Sequence, residues 1–115
     1  MFDGGPMRTI ILALSLFLIA TTSYAVPGKV WGTYYASRFD GRTMACGGIY
    51  RKEEVTVASS RLPCGSVVRI HFRGRSVVAP VTDRCNCGID LSHAAARKIG
   101  LRDAGAAWVE VHRIK

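Results

Sequence analysis

Two apolar runs with strand character dominate the second half of the chain. They extend from Ser66 to Phe72 (SVVRIHF) and from Ser76 to Asp83 (SVVAPVTD), and the short polar segment Arg73 to Arg75 separates them. This arrangement is typical of a β-hairpin. Pro80 has no backbone N–H to donate, so it favours an edge strand or a β-bulge just before Asp83. In the first run, one face carries only apolar side chains: Val68, Ile70 and Phe72.

Three further segments have strand character, and one has helix character. The strands are Trp31 to Tyr35, Val55 to Ala58 and Trp108 to Ile114. Alanines favour a helix from Ser92 to Ile99, which Gly100 ends. We find no repeat, linker or second domain. Many short strands with one short helix indicate a mainly β fold, a small β-barrel.

Residues 1–25 have the pattern of a secretory signal peptide. Arg8 precedes the apolar segment Ile10 to Ala20, and small residues surround a cleavage point near Ala25. The apolar segment is too short to predict a membrane span. We therefore expect a mature domain at residues 26–115, secreted or periplasmic, soluble and without a stable membrane anchor.

Four cysteines lie in the predicted mature part: Cys46, Cys64, Cys85 and Cys87. An even number in a small exported chain favours two disulfides over free thiols. Zinc is the competing interpretation, but the C-x-C spacing differs from the usual knuckle, so we predict no metal and no cofactor. Four cysteines permit three pairings. A bond from Cys85 to Cys87 would close a strained ring, so we expect each of these two to pair with Cys46 or Cys64.

The chain is strongly basic, with 16 Lys and Arg against 8 Asp and Glu and a formal net charge of +8. Nucleic acid is the usual partner for such a balance. An exported protein more often meets anionic polymers or lipid surfaces of the cell envelope, so we expect a polyanion other than nucleic acid. Alternatively, the scattered arginines only solvate the barrel.

Several motifs, in order along the chain, resemble the double-psi β-barrel domain of the rare lipoprotein A family, a relative of the barwin, expansin and family 45 endoglucanase barrels. The resemblance covers Gly32 to Val111. Its motifs are Tyr34-Tyr35; Phe39-x-Gly41-Arg42; Met44 to Gly47 for T-A-S-G; Thr56 to Gly65 for T-A-A-H-x-x-L-P-x-G; Thr82 to Arg84 for N-D-R; Asp90 to Ala95 for D-L-S-x-A-A; and Gly105 to Val111 for the last strand.

This resemblance implies a six-stranded double-psi β-barrel that cleaves glycan strands of peptidoglycan. Together with the two disulfides expected from the cysteine count, it predicts a disulfide-stapled monomer. The family's aspartate maps onto Asp83, and its histidine maps onto Ser59, where this chain departs from the pattern. The cysteines at 64, 85 and 87 are also departures. No cysteine follows Ala25 until Cys46, so the lipid anchor of the rare lipoproteins is not expected.

Asp83 is the predicted catalytic residue. In a lytic transglycosylase one carboxyl can protonate the leaving oxygen and then accept the proton of the sugar's own 6-hydroxyl. Alternatively, Asp83 pairs with Arg84 or with backbone N–H groups in a purely structural role. Hydrolysis would need a second carboxylate, from Asp40 or Asp90. Asp90 is interpreted instead as a helix-start oxygen beside Ser92.

Three residues are predicted to contact substrate: Tyr35, Ser59 and Arg84. The aromatic rings of Tyr34, Tyr35, Tyr50 and Trp31 can stack on sugars or fill the core and rim of the barrel. Ser59 cannot titrate near neutral pH and therefore cannot replace a histidine in a proton relay. The three histidines, His71, His93 and His112, are expected at the surface without a catalytic role.

Three functions compete on these grounds. The first is an exported peptidoglycan lytic transglycosylase that uses Asp83. The second is a non-catalytic wall-binding or wall-loosening module, which Ser59 favours. The third is a secreted barwin-like protein that acts on another polysaccharide or partner.

Overall fold

A computed structural model describes residues 28–115, and the predicted signal peptide lies outside the described residues. Six strands close into a barrel in the order β1-β5-β2-β4-β3-β6, which confirms the predicted fold. The strands are β1 (Gly28–Tyr34), β2 (Val57–Ser59), β3 (Val67–Phe72), β4 (Arg75–Asp83), β5 (Ile89–Leu91) and β6 (Ala107–Arg113). Two helices, α1 (His93–Ile99) and α2 (Leu101–Ala104), and a 3₁₀ turn at Ser37–Phe39 complete the described part.

Two parallel strand pairs distinguish this barrel from a simple meander. β1 runs parallel to β5 and β2 runs parallel to β4, whereas the other neighbours are antiparallel. Parallel neighbours need long crossover connections. The connection from β1 to β2, residues 35–56, covers the outside of the barrel where β2, β4 and β5 meet.

The predicted hairpin is confirmed, with β3 paired to β4 along its length. Both turn residues, Arg73 and Gly74, have positive φ angles of 47° and 81°. Positive φ at both central positions is the two-residue turn whose twist matches antiparallel strands. The predicted apolar face of β3 points into the core, which β4, β5 and helix α1 complete.

The prediction for Pro80 is half right. An edge position is wrong, because the barrel is closed and Pro80 pairs with Val67. The bulge is confirmed: Val57 pairs with Val81 and Ala58 pairs with Asp83, so one extra residue of β4 is accommodated between them. The Val81 N–H donates its hydrogen bond toward the β3 side of β4, to the Ser66 carbonyl. Neighbouring N–H groups alternate sides, so the Pro80 nitrogen faces the β2 side. Pairing with β2 begins only at Val81, so no ladder hydrogen bond is lost there.

Helix α1 has the predicted ends. Ser92 caps it by accepting a hydrogen bond from the Ala95 N–H (3.2 Å), and Gly100 ends it with a φ angle of 81°. Strand β5 and helix α2, with three and four residues, were not predicted. Across residues 28–115, none of the helices has the length and apolarity that a membrane crossing requires.

The disulfide pairing differs from the prediction. Cys46 is bonded to Cys64, and Cys85 is bonded to Cys87. The Cys85–Cys87 bond, which we expected to be too strained, forms because the chain bends at Asn86. The Cα atoms of Cys85 and Cys87 are 5.2 Å apart, within the usual range for a disulfide. The connection from residues 44–46 to the Asp83 segment is made by backbone hydrogen bonds instead, for example from Cys46 N–H to Thr82 O (3.2 Å).

Substituting Gly88, which lies against β1, should destabilise the barrel. A β-carbon there would be 2.7 Å from Cγ1 of Val30 and 3.0 Å from the Trp31 nitrogen, so the strands would have to separate. We expect Gly88→Ala to lower the free energy of unfolding by about 1–3 kcal/mol in urea denaturation. Gly28→Ala in β1 is the matched control, because a β-carbon there meets no atom within 4 Å. Equal stability of the two variants would contradict the close packing.

Candidate functional site

A row of polar residues crosses the outside of the barrel on neighbouring strands. Ala58 of β2 pairs with Asp83 on one side and Asp90 on the other, and Asp90 also pairs with Thr33 of β1. Paired residues point to the same face of a sheet, so the two carboxyls share one face. Adjacent strands are about 4.8 Å apart, which places the two aspartate backbones about 10 Å apart.

The loop of residues 36–54 and this row border an open cavity of about 240 Å³. Its apolar side is a cluster of Tyr35, Met44, Tyr50 and Ala58, against which Phe39 and Cys85 pack. The residues that line the cavity combine aromatic, cationic and acidic groups: Tyr35, Phe39, Arg42, Thr43, Tyr50, Asp83, Arg84 and Asp90. This composition fits a polar ligand with apolar faces, such as a sugar.

The Asp83 carboxylate accepts three hydrogen bonds. The Tyr35 hydroxyl donates to Oδ2 (2.7 Å), and the backbone N–H groups of Ala45 (2.7 Å) and Arg84 (2.9 Å) donate to Oδ1. The apolar residues Val77, Ala79 and Val81 point into the barrel, whereas Asp83 points outward to the loop. The carboxylate is therefore held in one orientation by polar donors and is not enclosed by the apolar run that precedes it.

Asp90 occupies the same cavity, so its interpretation as a helix-start residue is wrong. It lies in β5, where its Oδ1 accepts a hydrogen bond from the Thr33 hydroxyl (2.9 Å), and Ser92 alone caps the helix. Burial raises the pKa of the Asp90 carboxyl above its ordinary value, and the nearby Asp83 charge adds to this effect, while the Thr33 hydrogen bond opposes it. Asp90 therefore retains a proton at higher pH than an exposed aspartate does.

Tyr35 is placed at the site but is not open to a sugar ring. Its side chain is only 7% exposed, and its ring stacks on Tyr50 with centroids 4.1 Å apart and planes 7° apart. Burial, together with the hydrogen bond to Asp83, raises the pKa of the Tyr35 hydroxyl far above its usual range. The hydroxyl therefore stays protonated and donates steadily to Asp83.

Arg84 lines the cavity but is also used within the protein. Its Nη1 donates to the carbonyl oxygens of Ser59 (2.9 Å) and Leu62 (2.6 Å), which ties the loop after β2 to the Asp83 segment. One guanidinium thus fixes the loop and adds positive charge beside Asp83. Its contact with substrate stays a prediction.

Ser59 is not brought together with Asp83. Its hydroxyl is buried and accepts hydrogen bonds from the N–H groups of Arg61 (3.2 Å) and Leu62 (3.1 Å), which shapes the turn after β2. It lines a separate cavity of about 580 Å³ with Gly28 and Gly88, among others. The position that the resemblance gives to a histidine therefore holds a turn-forming serine here.

The expected surface position is wrong for His93, which is buried with its ring edge-on to Tyr34 and its Nε2 without a partner. His93 follows the capping Ser92 in the first turn of α1, and this turn packs on the barrel. His71 and His112 are half-buried and contact each other, with ring centroids 5.1 Å apart. None of the three lines the Asp83 cavity. Within residues 28–115, no cluster of three or more His, Cys, Asp or Glu side chains could hold a metal ion.

Sequence reasoning missed Thr33. It offered Asp90 as a possible second carboxylate and Tyr50 as a possible sugar-stacking ring, but it placed neither beside Asp83. For Asp90, the helix-capping interpretation concealed the alternative, although the D-L-S motif was recognised. Phe39 and Arg42 belong to the quoted F-x-G-R motif, and Arg42 lies over the Phe39 ring at 5.0 Å from its centroid. That motif was therefore the available signal for this side of the cavity.

The raised pKa of Asp90 predicts a pH-dependent cost to stability. Asp90 binds its proton more tightly in the folded state than in the unfolded state. The free energy of unfolding should therefore fall as pH rises from the ordinary pKa of 3.8 through the raised pKa of the folded state. We expect Asp90→Asn to be more stable than wild type at neutral pH, with the difference vanishing below 3.8. Urea denaturation across this pH range measures it, with exposed Asp103→Asn as the control. A gain independent of pH would contradict this assignment.

Comparisons with known proteins agree with this architecture. The protein family described as lytic transglycolase matches residues 31–111. An uncharacterized protein of Synechocystis sp. is 42% identical over 84 residues, covering 71% of this chain and 93% of that protein. The endolytic peptidoglycan transglycosylase RlpA of Haemophilus influenzae is 31% identical over 126 residues, covering 90% of this chain and 44% of the relative. This chain therefore spans less than half of that relative's length.

Solved structures show the same barrel. The Streptomyces papain inhibitor matches with a TM-score of 0.67 and 27% identity, covering 78% of this chain and 96% of the inhibitor. An expansin of Clavibacter michiganensis, solved with cellohexaose, matches with a TM-score of 0.64 and 19% identity, covering 78% of this chain and 51% of the expansin. The family match, the relatives and the closed barrel agree with the motifs in the sequence. The chain belongs to the lytic transglycolase family, the rare lipoprotein A-like double-psi β-barrels.

Proposed function

We propose that this protein is exported to the cell envelope, where it cleaves glycan strands of peptidoglycan by lytic transglycosylation. The observation that carries the proposal is the pair of carboxyls in one cavity. Asp90 has a raised pKa, and Asp83 is held as an oriented acceptor by three donors. Two carboxyls in different environments can divide the acid and base roles of glycoside cleavage.

In the proposed reaction, protonated Asp90 donates its proton to the glycosidic oxygen as the bond from that oxygen to the anomeric carbon breaks. The Asp83 carboxylate takes the proton of the 6-hydroxyl on the same sugar, and the 6-oxygen then bonds to the anomeric carbon. The products are a free hydroxyl on one fragment and a 1,6-anhydro sugar on the other, and no water is consumed. Proton exchange with solvent restores both carboxyls. The sequence alone assigned both steps to Asp83, and the position of Asp90 supports dividing them.

Other groups in the cavity have supporting roles in this proposal. The Tyr35 hydroxyl orients Asp83, and Arg84 holds the loop after β2 close to it. Arg42 and Arg84 supply positive charge to a cavity that would bind a polymer carrying carboxylates. These side chains suffice for the chemistry, so the proposal includes no cofactor.

The relatives support the substrate class. The Haemophilus influenzae relative is named as an endolytic peptidoglycan transglycosylase. The net charge of +8 suits an anionic envelope polysaccharide. We propose that the barrel works as a monomer, in the periplasm or outside the cell.

A second candidate function is a module that binds glycan strands without cleaving them. Ser59 favours this alternative, because it cannot titrate and its hydroxyl already accepts two backbone hydrogen bonds. In that case the same cavity would hold a sugar, and Asp83 would serve only as a hydrogen-bond acceptor.

Mass spectrometry of glycan strands freed of stem peptides separates the two functions. We expect the purified protein to release fragments with 1,6-anhydro ends, at a rate that falls as pH rises through the pKa of Asp90. Strands that co-sediment with the protein and keep their length would exclude cleavage and leave the binding module.

The two aspartates should differ from a matched exposed one in this assay. We expect Asp83→Asn and Asp90→Asn each to lower turnover at least a hundredfold, since a general acid or base typically contributes about 10²–10⁴. Asp103→Asn, exposed in helix α2, should retain wild-type turnover. Full activity in Asp83→Asn would remove that residue from the reaction, and full activity in Asp90→Asn would return both steps to Asp83.

A further inference from the structure

The two tryptophans of the chain, Trp31 and Trp108, are exposed and contact each other. They are 44% and 60% exposed, and their rings meet edge to face with centroids 5.3 Å apart and planes 73° apart. Isolated exposed apolar residues are ordinary, but two large aromatic rings in contact on a surface are characteristic of a binding site. The contact also restricts both rings, which lowers the entropy lost when a ligand binds to them.

This pair lies next to the candidate active site on the same face of the barrel. Trp31 pairs with Trp108 across β1 and β6. Residues two positions apart on a strand point to the same side, so Trp31 shares its face with Thr33, about 7 Å along the chain. Thr33 donates its hydroxyl hydrogen to Asp90. A polymer leaving the cavity past Asp90 along β1 therefore passes directly over the tryptophans.

We propose that Trp31 and Trp108 form an accessory surface that stacks on sugar rings of the glycan strand beyond the cavity. The inference rests on the proposed function, because it takes the same polymer as ligand. Sugar rings have apolar C–H faces that pack on aromatic rings, and the indole N–H can donate to a hydroxyl. Lys29 and Glu110 are paired two residues further along β1 and β6, at the next position on the same face, and add polar groups beside the rings.

The other aromatic rings at the cavity are less available to a sugar. The guanidinium groups of Arg38 and Arg42 lie over the Phe39 ring, 4.9 and 5.0 Å from its centroid. Tyr35 and Tyr50 cover each other, and both are buried. Trp108 is the more exposed of the two tryptophans and is assigned the stacking face, while Trp31 fixes its orientation. Sugar stacking, which the sequence offered to three tyrosines and to Trp31, is thus assigned to Trp31 and Trp108 outside the cavity.

Intrinsic fluorescence tests this surface directly, because the chain has 2 tryptophans and both belong to it. Glycan strands freed of stem peptides are titrated into the intact protein while tryptophan emission is recorded. We expect a saturable change of intensity and a shift to shorter wavelength.

Trp108→Ala should weaken binding about tenfold, equivalent to about 1.4 kcal/mol. It should raise KM for long strands and leave kcat unchanged, and Trp108→Phe should restore part of the affinity.

Val78→Ala is the matched control, since Val78 is 45% exposed on β4 and its loss should change neither binding nor emission. Strands that bind in sedimentation without altering emission, or with equal affinity for Trp108→Ala, would overturn the surface and leave the proposed function intact. Emission that responds to vesicles of anionic lipid but not to glycan would also overturn it. Binding with the emission change but without 1,6-anhydro products would uphold the surface and reject turnover. No binding by the wild type would reject both.

Discussion

The bulge at Thr82 decides which side of the barrel Asp83 faces. Val81 points into the core opposite Val57, and side chains alternate along a strand, so a regular strand would turn Asp83 inward as well. One extra residue reverses that direction and pairs Asp83 with Ala58 on the outside. The candidate site depends on this reversal, since an inward carboxylate would be buried among valines and could not contact the covering loop.

The loop of residues 36–54, which borders the cavity, is hydrogen-bonded to β4 at the bulge. The Thr82 carbonyl accepts the N–H of Cys46, and Asp83 accepts the N–H of Ala45. These two bonds hold residues 44–46 against β4, and the disulfide from Cys46 to Cys64 ties the same segment to the loop before β3. The bulge, the position of the loop and the orientation of the Asp83 carboxylate therefore depend on one another, because the same hydrogen bonds join all three.

The sequence was sufficient for the β3–β4 hairpin and the cap at Ser92, because each has a local signal. It was also sufficient for the barrel class, through the many short strands and the order of motifs along the whole chain. It was insufficient for Asp90 and for the disulfides. The direction of Asp90 depends on a three-residue strand paired with both β1 and β2, and no local pattern specifies such non-local pairing. The Cys85–Cys87 bond depends on a bend at Asn86, and a general argument about ring strain does not predict that bend.

The burial of Asp90 has opposite consequences for stability and chemistry. Asp90 is partly buried near a second carboxylate, so its ionisation destabilises the folded state. The fold keeps it with a single hydroxyl donor from Thr33, whereas Asp83 receives three donors. The two carboxyls therefore have different environments: burial raises the pKa of Asp90, and three donors hold Asp83 in one orientation. Carboxyls with perturbed pKa values cluster at functional sites, so the contrast between Asp90 and Asp83 in one cavity is the strongest physical argument for the proposed chemistry.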